Sequence, residues 1–530
     1  MEKAQKNISL FKAATWIAVV IVLSKIAGFA RDVVIANYYG AGLVSDAYFY
    51  AYQIPALIIV ILGGVGGPFH SATVAIFSKL IKNYEDKPDK DIKALFNTFE
   101  TVAVIIFLLL SLLCFIFPEQ IMSIIISAGS PELLQLASTH LKIMSPMILF
   151  GSIIGIYYGI LVTYKKFMLP NISPAFLSLS IIITLLIFKA DTNGVHLAVG
   201  TMLGGLVQLL AQVPAVRKLG YSFAITLSKI KDTNFKDITE LVLPAFLSST
   251  IGQFGLYVDM FFSSGLEGGA WTSLGYANRI FQFPTGLLLT AVLVPLFPLF
   301  SKLVGEKKFD DVANYFYKGV GSLFFLSGFL TLIIAIVKVD AIHLALERGA
   351  FSHESTLIVA NILMILSFSL IFYVFRDSAT RLLYSFNDSK IPFWTALLAI
   401  ILKIFFNSIL VKKFGIYGIT LSTTLITAIN AIILGSFIKT KLEFKYTPLF
   451  KTLGKIIVCS IITFAISNVL YKEICEILSW SLINGFLRLL IIGIFSSALY
   501  FGISLLFKIE FAKEFLDKIL NKVKLCKKVE

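Results

Sequence analysis

Cysteine is scarce, with four in 530 residues, at positions 114, 459, 475 and 526, and none stands in a CxxC pair or at metal-ligand spacing. That excludes a disulfide framework or a cysteine-held cluster as the organising device. Charge is scarce too, at 15% of residues, against about 25% in soluble domains. The chain has no HExxH, no GxSxG and no P-loop lysine motif. Nucleotide hydrolysis is therefore not expected, and the chain does not read as an enzyme. Energy for any transport must come from an ion gradient, the membrane potential or the substrate gradient. No small-residue cleavage site follows the first apolar run, which reads as a retained helix rather than a removed signal peptide.

Apolar residues make up 57% of the chain. Runs of the roughly 20 residues needed to cross a bilayer recur along nearly its whole length. A transmembrane barrel would instead show alternating segments of about 10 residues. The expected fold class is all-α, a polytopic transmembrane bundle of fourteen helices at about 13–37, 46 into the 70s, 95–117, 136–161, 172–189, 195–216, 240–263, 271–300, 314–337, 355–385, 391–411, 416–438, 453–471 and 483–507. The second is broken by the glycines of 63–67 and Pro68. The tail, 508–530, reads as a basic amphipathic helix at the headgroup surface. The net charge of +15 would suggest nucleic acid in a soluble protein. Here the basic residues gather in alternate loops, so the positive-inside rule explains them and no nucleic-acid partner is expected. With both termini cytoplasmic, the opposite loops hold only Lys189, Lys338, Arg348, Lys412, Lys413 and Lys472.

The chain repeats itself at an offset of about 220 residues, or six helices. LVTYKKFMLP (161–170) is mirrored by LYSFNDSKIP (383–392), IMSIIISAG (121–129) by IHLALERG (342–349), and FSKL (77–80) by FSKL (300–303). Because six is even, the two halves insert in the same orientation, which is the parallel-repeat architecture with a site expected near mid-membrane. The expected division is an N-lobe over 1–220, a C-lobe over 221–445, and helices 13 and 14 with the tail over 446–530.

The segment 24–55 lies in apolar sequence yet carries Lys25, Arg31, Asp32 and Asp46. A charge at bilayer depth costs about 2.5–3.5 kcal/mol on insertion scales, so these charges are expected to face a wet cavity and an anionic cargo. The competing reading is snorkelling, or pairing of Lys25 and Arg31 with Asp32 and Asp46. Arg279 in the eighth helix has no adjacent acid in sequence, and its planar fork suits phosphate. Its bland alternative is a pair with Asp259. Asp259, with the neutral oxygens of Asn407 and Thr427, could hold a sodium ion or a proton, because a buried carboxylate needs a cation or must protonate. Arg381 follows Asp377 by four residues, so those two read as an intrahelical pair beside Arg376. His70 reads as a packing residue. No metal centre is expected.

SKIAGFARD (24–32), GAGLVSDAYFYAYQIP (40–55), VDMFFSSGL (258–266), GYANRIFQFPTG (275–286) and LERGAF (346–351) resemble the MurJ (MviN) family of lipid II flippases. That family lies within the multidrug/oligosaccharidyl-lipid/polysaccharide exporter superfamily. LGGVGGPFHSA (62–72) resembles its cyanobacterial branch. The resemblance implies two six-helix lobes around a cationic cavity, with helices 13 and 14 forming a groove for a polyprenyl tail. It further implies alternating access in the bacterial cytoplasmic (inner) membrane, and a role in peptidoglycan biosynthesis. The implied cargo is lipid II, a polyprenyl diphosphate-linked disaccharide peptide, carried by a monomer in the lipid bilayer. Lys25, Arg31, Asp46 and Arg279 fall on the matching site positions. A coupling cation, Na+ or H+, would fall to Asp259 and Asn407. The chain departs from the pattern at Lys25, where many members have arginine. It departs again at Ile59 and Val60 in place of a basic pair, at Gly64 in place of glutamate, and at Val411 in place of an acidic ligand. The alternatives are a flippase for another polyprenyl-linked oligosaccharide, a cation-coupled drug exporter with an acid-lined cavity, and a non-transporting scaffold.

Overall fold

The computed structural model describes residues 2–59, 64, 67–81 and 87–517. Every regular element among them is helical, and there are nineteen helices. Each of the fourteen expected helices is occupied by helix, four of them are divided, and a further short helix, Pro118–Ile125, follows the third. Prolines mark three of the divisions and the start of the further helix. Pro68, Pro146 and Pro174 open the second parts of divided helices and Pro118 opens the further one, each at the first turn, where a missing N–H costs nothing and the fixed φ fits. Val60, most of the glycine break at 63–66, Lys82, Cys526 and the tail beyond 517 lie outside the described residues.

The chain packs as two units, residues 1–272 with 348–352, and 273–347 with 353–530. The first unit contains α1 (Glu2–Tyr39), α2 (Leu43–Leu57), α3 (Pro68–Leu80), α4 (Lys90–Ile116), α5 (Pro118–Ile125), α6 (Pro131–Met144) and α7 (Pro146–Thr163). It continues with α8 (Met168–Ile172), α9 (Pro174–Phe188), α10 (Val195–Lys218), α11 (Thr233–Ile251) and α12 (Phe254–Ser263). Its core is built where α7 packs on α3, α4 and α10, with α2 against α6 and α1 against α9. Helix α13 (Ala270–Gly305) begins in this unit and runs into the second.

The second unit holds α14 (Phe309–Leu346), α15 (His353–Ser385), α16 (Lys390–Phe414), α17 (Ile416–Leu442), α18 (Thr447–Ile477) and α19 (Leu482–Leu506). α15 packs on α14 and α17, and both α18 and α19 pack on α14. Thus the two helices outside the repeat have a fixed seat. Tyr500 Oη donates to the Phe325 carbonyl at 2.9 Å. A buried ion pair, Arg488 to Asp340 at 3.4 Å, ties α19 to α14.

The repeat is visible in the backbone. Lys165 and Asn387 both take left-handed φ, +59° and +56°, just past α7 and α15. Each is followed by a reversed hydrogen bond, Lys166 N–H to the Leu161 carbonyl at 2.8 Å and Asp388 N–H to the Leu383 carbonyl at 3.0 Å. This is the closure expected at a helix C-terminus. Gly194 and Gly415, at φ +71° and +54°, precede α10 and α17 in the same way.

Eleven helices among the described residues are long and apolar enough to cross a membrane. The chain is a multi-pass membrane protein, and the apolar side chains exposed along α4, such as Ile105, Leu109 and Ile116, suit contact with lipid. The other three expected spans are α1, α2 with α3, and α11 with α12. These are the spans that carry Lys25, Arg31, Asp46 and Asp259.

Candidate functional site

Within the first unit the motif residues converge on the turn between α1 and α2. Gly40 there has φ +61°, and a Cβ on it would lie 2.4 Å from the Ala350 carbonyl oxygen. Only glycine admits that approach. The Ala350 N–H donates to the Asn37 carbonyl at 2.8 Å, so the tip of LERGAF seats on the end of α1. From the other side, Tyr39 Oη donates to Asp191 at 2.9 Å. Asp191 in turn accepts from the amides of Val195 and His196 at 2.8 and 3.1 Å, capping α10. Burial pushes the Asp191 carboxyl up, but those two amides and Tyr39 outweigh it and hold its pKa below the ordinary carboxylate value.

Asp46 is 3% exposed, and its carboxylate is committed to the start of α13. It accepts from the Gly269 N–H at 2.8 Å, the Thr272 N–H at 2.7 Å and the Thr272 hydroxyl at 2.6 Å. Four amides at a helix start lack intrahelical partners, and the helix dipole favours an anion there. A carboxylate from α2 therefore caps α13, the helix that carries Arg279. Tyr50 supports the same corner, its ring stacked on Trp271 at 5.5 Å and its hydroxyl 2.6 Å from the Ser263 hydroxyl.

Arg31 reaches its neighbour Asp32, Nη2 to Oδ1 at 2.9 Å. Its side chain is 14% exposed, so it presents a partly neutralised cation. Lys25, six residues earlier on α1, is exposed. Asp259 is buried on α12 in the same unit. Ile59 and Gly64, beyond the end of α2, are uncharged and add nothing to the cations of α1.

In the second unit Arg279 is half-buried on α13, with its guanidinium carbon 5.8 Å from the Tyr276 ring centre. Asn407 on α16 and Thr427 on α17 are buried, and the Thr427 hydroxyl donates to the Thr423 carbonyl at 2.7 Å. Arg381 and Asp377 make the expected intrahelical contact at 3.2 Å, while Arg376 lies 4.4 Å from the Tyr373 ring centre.

Sequence reasoning missed three things here. The partners of Asp46 lie more than 220 residues away, and only the run EGGAWT (267–272) hinted at a helix start. Asp191, four residues before Val195, carries no mark in sequence of its cap on α10. The Arg488–Asp340 pair joins two apolar helices, and each member alone reads as a stray charge.

A sequence model of the family described as "Lipid II flippase MurJ" matches residues 35–507. A Synechocystis protein named "Probable lipid II flippase MurJ" is 29% identical, covering 78% of this chain and 79% of its own. A Burkholderia cenocepacia protein named "Lipid II flippase MurJ" is 26% identical, covering 80% and 83%. Among solved structures, a lipid II flippase MurJ in an inward closed conformation aligns over 93% of this chain and 98% of its own, with TM-score 0.76 and 25% identity. A multidrug resistance MATE family transporter of the MOP superfamily, in an inward-facing conformation, aligns over 81% of this chain and 98% of its own at TM-score 0.59 and 14% identity, a likeness of fold alone.

Proposed function

This chain belongs to the lipid II flippase MurJ family, and from that premise we propose that it moves lipid II across the bacterial cytoplasmic membrane by alternating access, with Arg279, Lys25 and Arg31 receiving the diphosphate of the cargo. The observation that carries this reading is the placement of cations on family motifs inside otherwise apolar helices, where each costs about 2.5–3.5 kcal/mol unless it serves a polar cargo. Arg279 supplies a planar two-pronged donor suited to phosphate oxygens. Lys25 supplies an exposed ammonium, which binds phosphate as a point charge. Arg31 arrives already held by Asp32, which fixes its direction at the expense of net charge. Asp46 belongs to the site as a positioning residue, since it fixes the start of the helix that carries Arg279.

The remaining parts of the reading follow the same premise. The halves 1–220 and 221–445 act as the two moving lobes, and 446–530 serves the polyprenyl tail. Asp259, with Asn407 and Thr427, holds the coupling ion, sodium or a proton. Both termini face the cytoplasm, and the working form is a monomeric transporter without catalytic chemistry or a nucleic-acid partner. The test is complementation. Expression of this chain should restore growth and cell shape to a bacterial strain depleted of its own lipid II flippase. Folded, membrane-inserted protein that fails to restore growth contradicts the cargo assignment.

A further inference from the structure

At one end of α14, apart from the residues proposed to hold the cargo or the coupling ion, three metal-binding side chains converge. Glu347 closes α14, His343 stands one turn before it, and His353 opens α15. His353 Nδ1 lies 3.2 and 3.1 Å from the two carboxylate oxygens of Glu347. His343 Nδ1 lies 3.4 Å from Oε2 of the same carboxylate. One ligand atom from each residue falls within 4.8 Å of the others. We propose that His343, Glu347 and His353 form a binding site for a divalent transition cation of the zinc class.

The chemistry of the donors selects the ion. Two imidazoles and one carboxylate suit zinc, copper(II) or nickel, whereas magnesium and calcium take oxygen donors. Zinc ligands at about 2.0–2.2 Å from a tetrahedral centre lie a little over 3 Å from one another, which is the spacing the Glu347 contacts already have. Three protein ligands leave the fourth position to water, as in open zinc sites. The ligands are also held from behind. The indole of Trp480 stacks on the His343 ring at 3.6 Å and 25°. Trp480 in turn lies beneath the guanidinium of Arg488 at 5.6 Å, whose partner is Asp340 on the turn of α14 before His343. The orientation of the His343 ring is thus set by α14 and by the α18–α19 connection before any ion binds. Spacing supports the same conclusion, because residues four apart on a helix share a face. His353 meets them only because α15 starts six residues after Glu347.

The location gives the site a role. Between Glu347 and His353 lies the five-residue segment 348–352, which packs with the first unit through the Ala350 contact to Asn37. An ion bridging Glu347 and His353 closes the neck of that segment and restrains both its ends. Zinc would therefore stabilise the folded chain without touching the cargo residues.

The test uses the purified full-length protein in detergent, stripped with a chelator and desalted. Zinc is added, unbound metal is removed, and bound zinc is measured by elemental analysis. Cobalt(II) serves as a spectroscopic probe of low-coordinate geometry. Wild type should retain one zinc per chain and show visible cobalt absorption, and its melting temperature should rise with zinc concentration, since a ligand of the native state stabilises it by mass action. His343→Ala/His353→Ala should lose all three signals, and its affinity should fall by more than the roughly 10–100-fold typical of losing an outer-shell partner. His353 is the more exposed of the two histidines, so His353→Ala alone leaves folding intact, and His353→Cys, which supplies a thiolate, should restore binding. Zinc retention by the double variant equal to wild type, or no retention by wild type, overturns the proposal. The cluster is then a carboxylate hydrogen-bonded between two imidazoles.

Discussion

Asp46 and Thr272 are joined twice, by the Thr272 amide at 2.7 Å and its hydroxyl at 2.6 Å to one carboxylate oxygen, across 226 residues of chain. Hydrogen bonds to a charged group contribute roughly 1.5–3 kcal/mol. Asp46→Ala removes the cap from α13 and leaves its first amides without an acceptor. It should lower stability by about 2–3 kcal/mol, seen as a lower melting temperature in detergent. Asp46→Asn keeps an oxygen acceptor and should lose less. Equal melting of wild type and the alanine variant would remove the positioning role.

The Arg31–Asp32 pair separates structure from transport. Breaking a buried pair costs about 3–5 kcal/mol because one charge is left behind, and partial exposure of Arg31 puts the expected loss for Arg31→Ala near the lower end. Arg31→Ala/Asp32→Asn removes both charges and should regain most of that stability. Transport should not return with it, because the cargo loses a cation. Recovery of both stability and growth would make Arg31 a structural residue only.

Asp259 is buried on α12. If it carries the coupling ion, Asp259→Asn should change the sodium or pH dependence of transport while the protein remains folded and inserted. An unchanged ion response in an active variant would leave Asp259 with a packing role.

Orientation follows from the loop charges. A fluorescent protein fused to the C-terminus should be bright, and a phosphatase fused there should be inactive. The reverse pattern would invert the proposed topology and place the basic connectors outside.

Helix existence was legible because apolar runs of bilayer length are hard to mistake. Their divisions were less so. Pro68, Pro146 and Pro174 mark three of them, but the break between α11 and α12 comes at Gly252 and Gln253, with no proline to announce it. The repeat was legible in sequence, and its backbone closures at Lys165 and Asn387 sharpen it. Individual charges were legible as anomalies, but their partners were not. Asp46 looked like a cavity residue because nothing near it in sequence shows the amides of Gly269 and Thr272. The same holds for Asp340 with Arg488, and for His353, which meets His343 and Glu347 only after the chain turns back between α14 and α15. Side-chain identity reports the cost of a buried charge, while long-range packing decides what relieves it.

The most direct test of the account is to measure lipid II exposed on the outer face of cells in which this chain, or its Arg279→Ala variant, is the sole flippase, using a membrane-impermeant enzyme that cleaves the headgroup. Losing one charge-assisted contact of about 1.5–3 kcal/mol should weaken cargo binding by about 10- to 150-fold, at 1.4 kcal/mol per tenfold. Arg279→Lys keeps the charge without the fork, so its defect should be intermediate. The account predicts cleavage with the wild-type chain, little with Arg279→Ala at equal membrane levels, and partial cleavage with Arg279→Lys. Wild-type levels of cleavage with Arg279→Ala would contradict it.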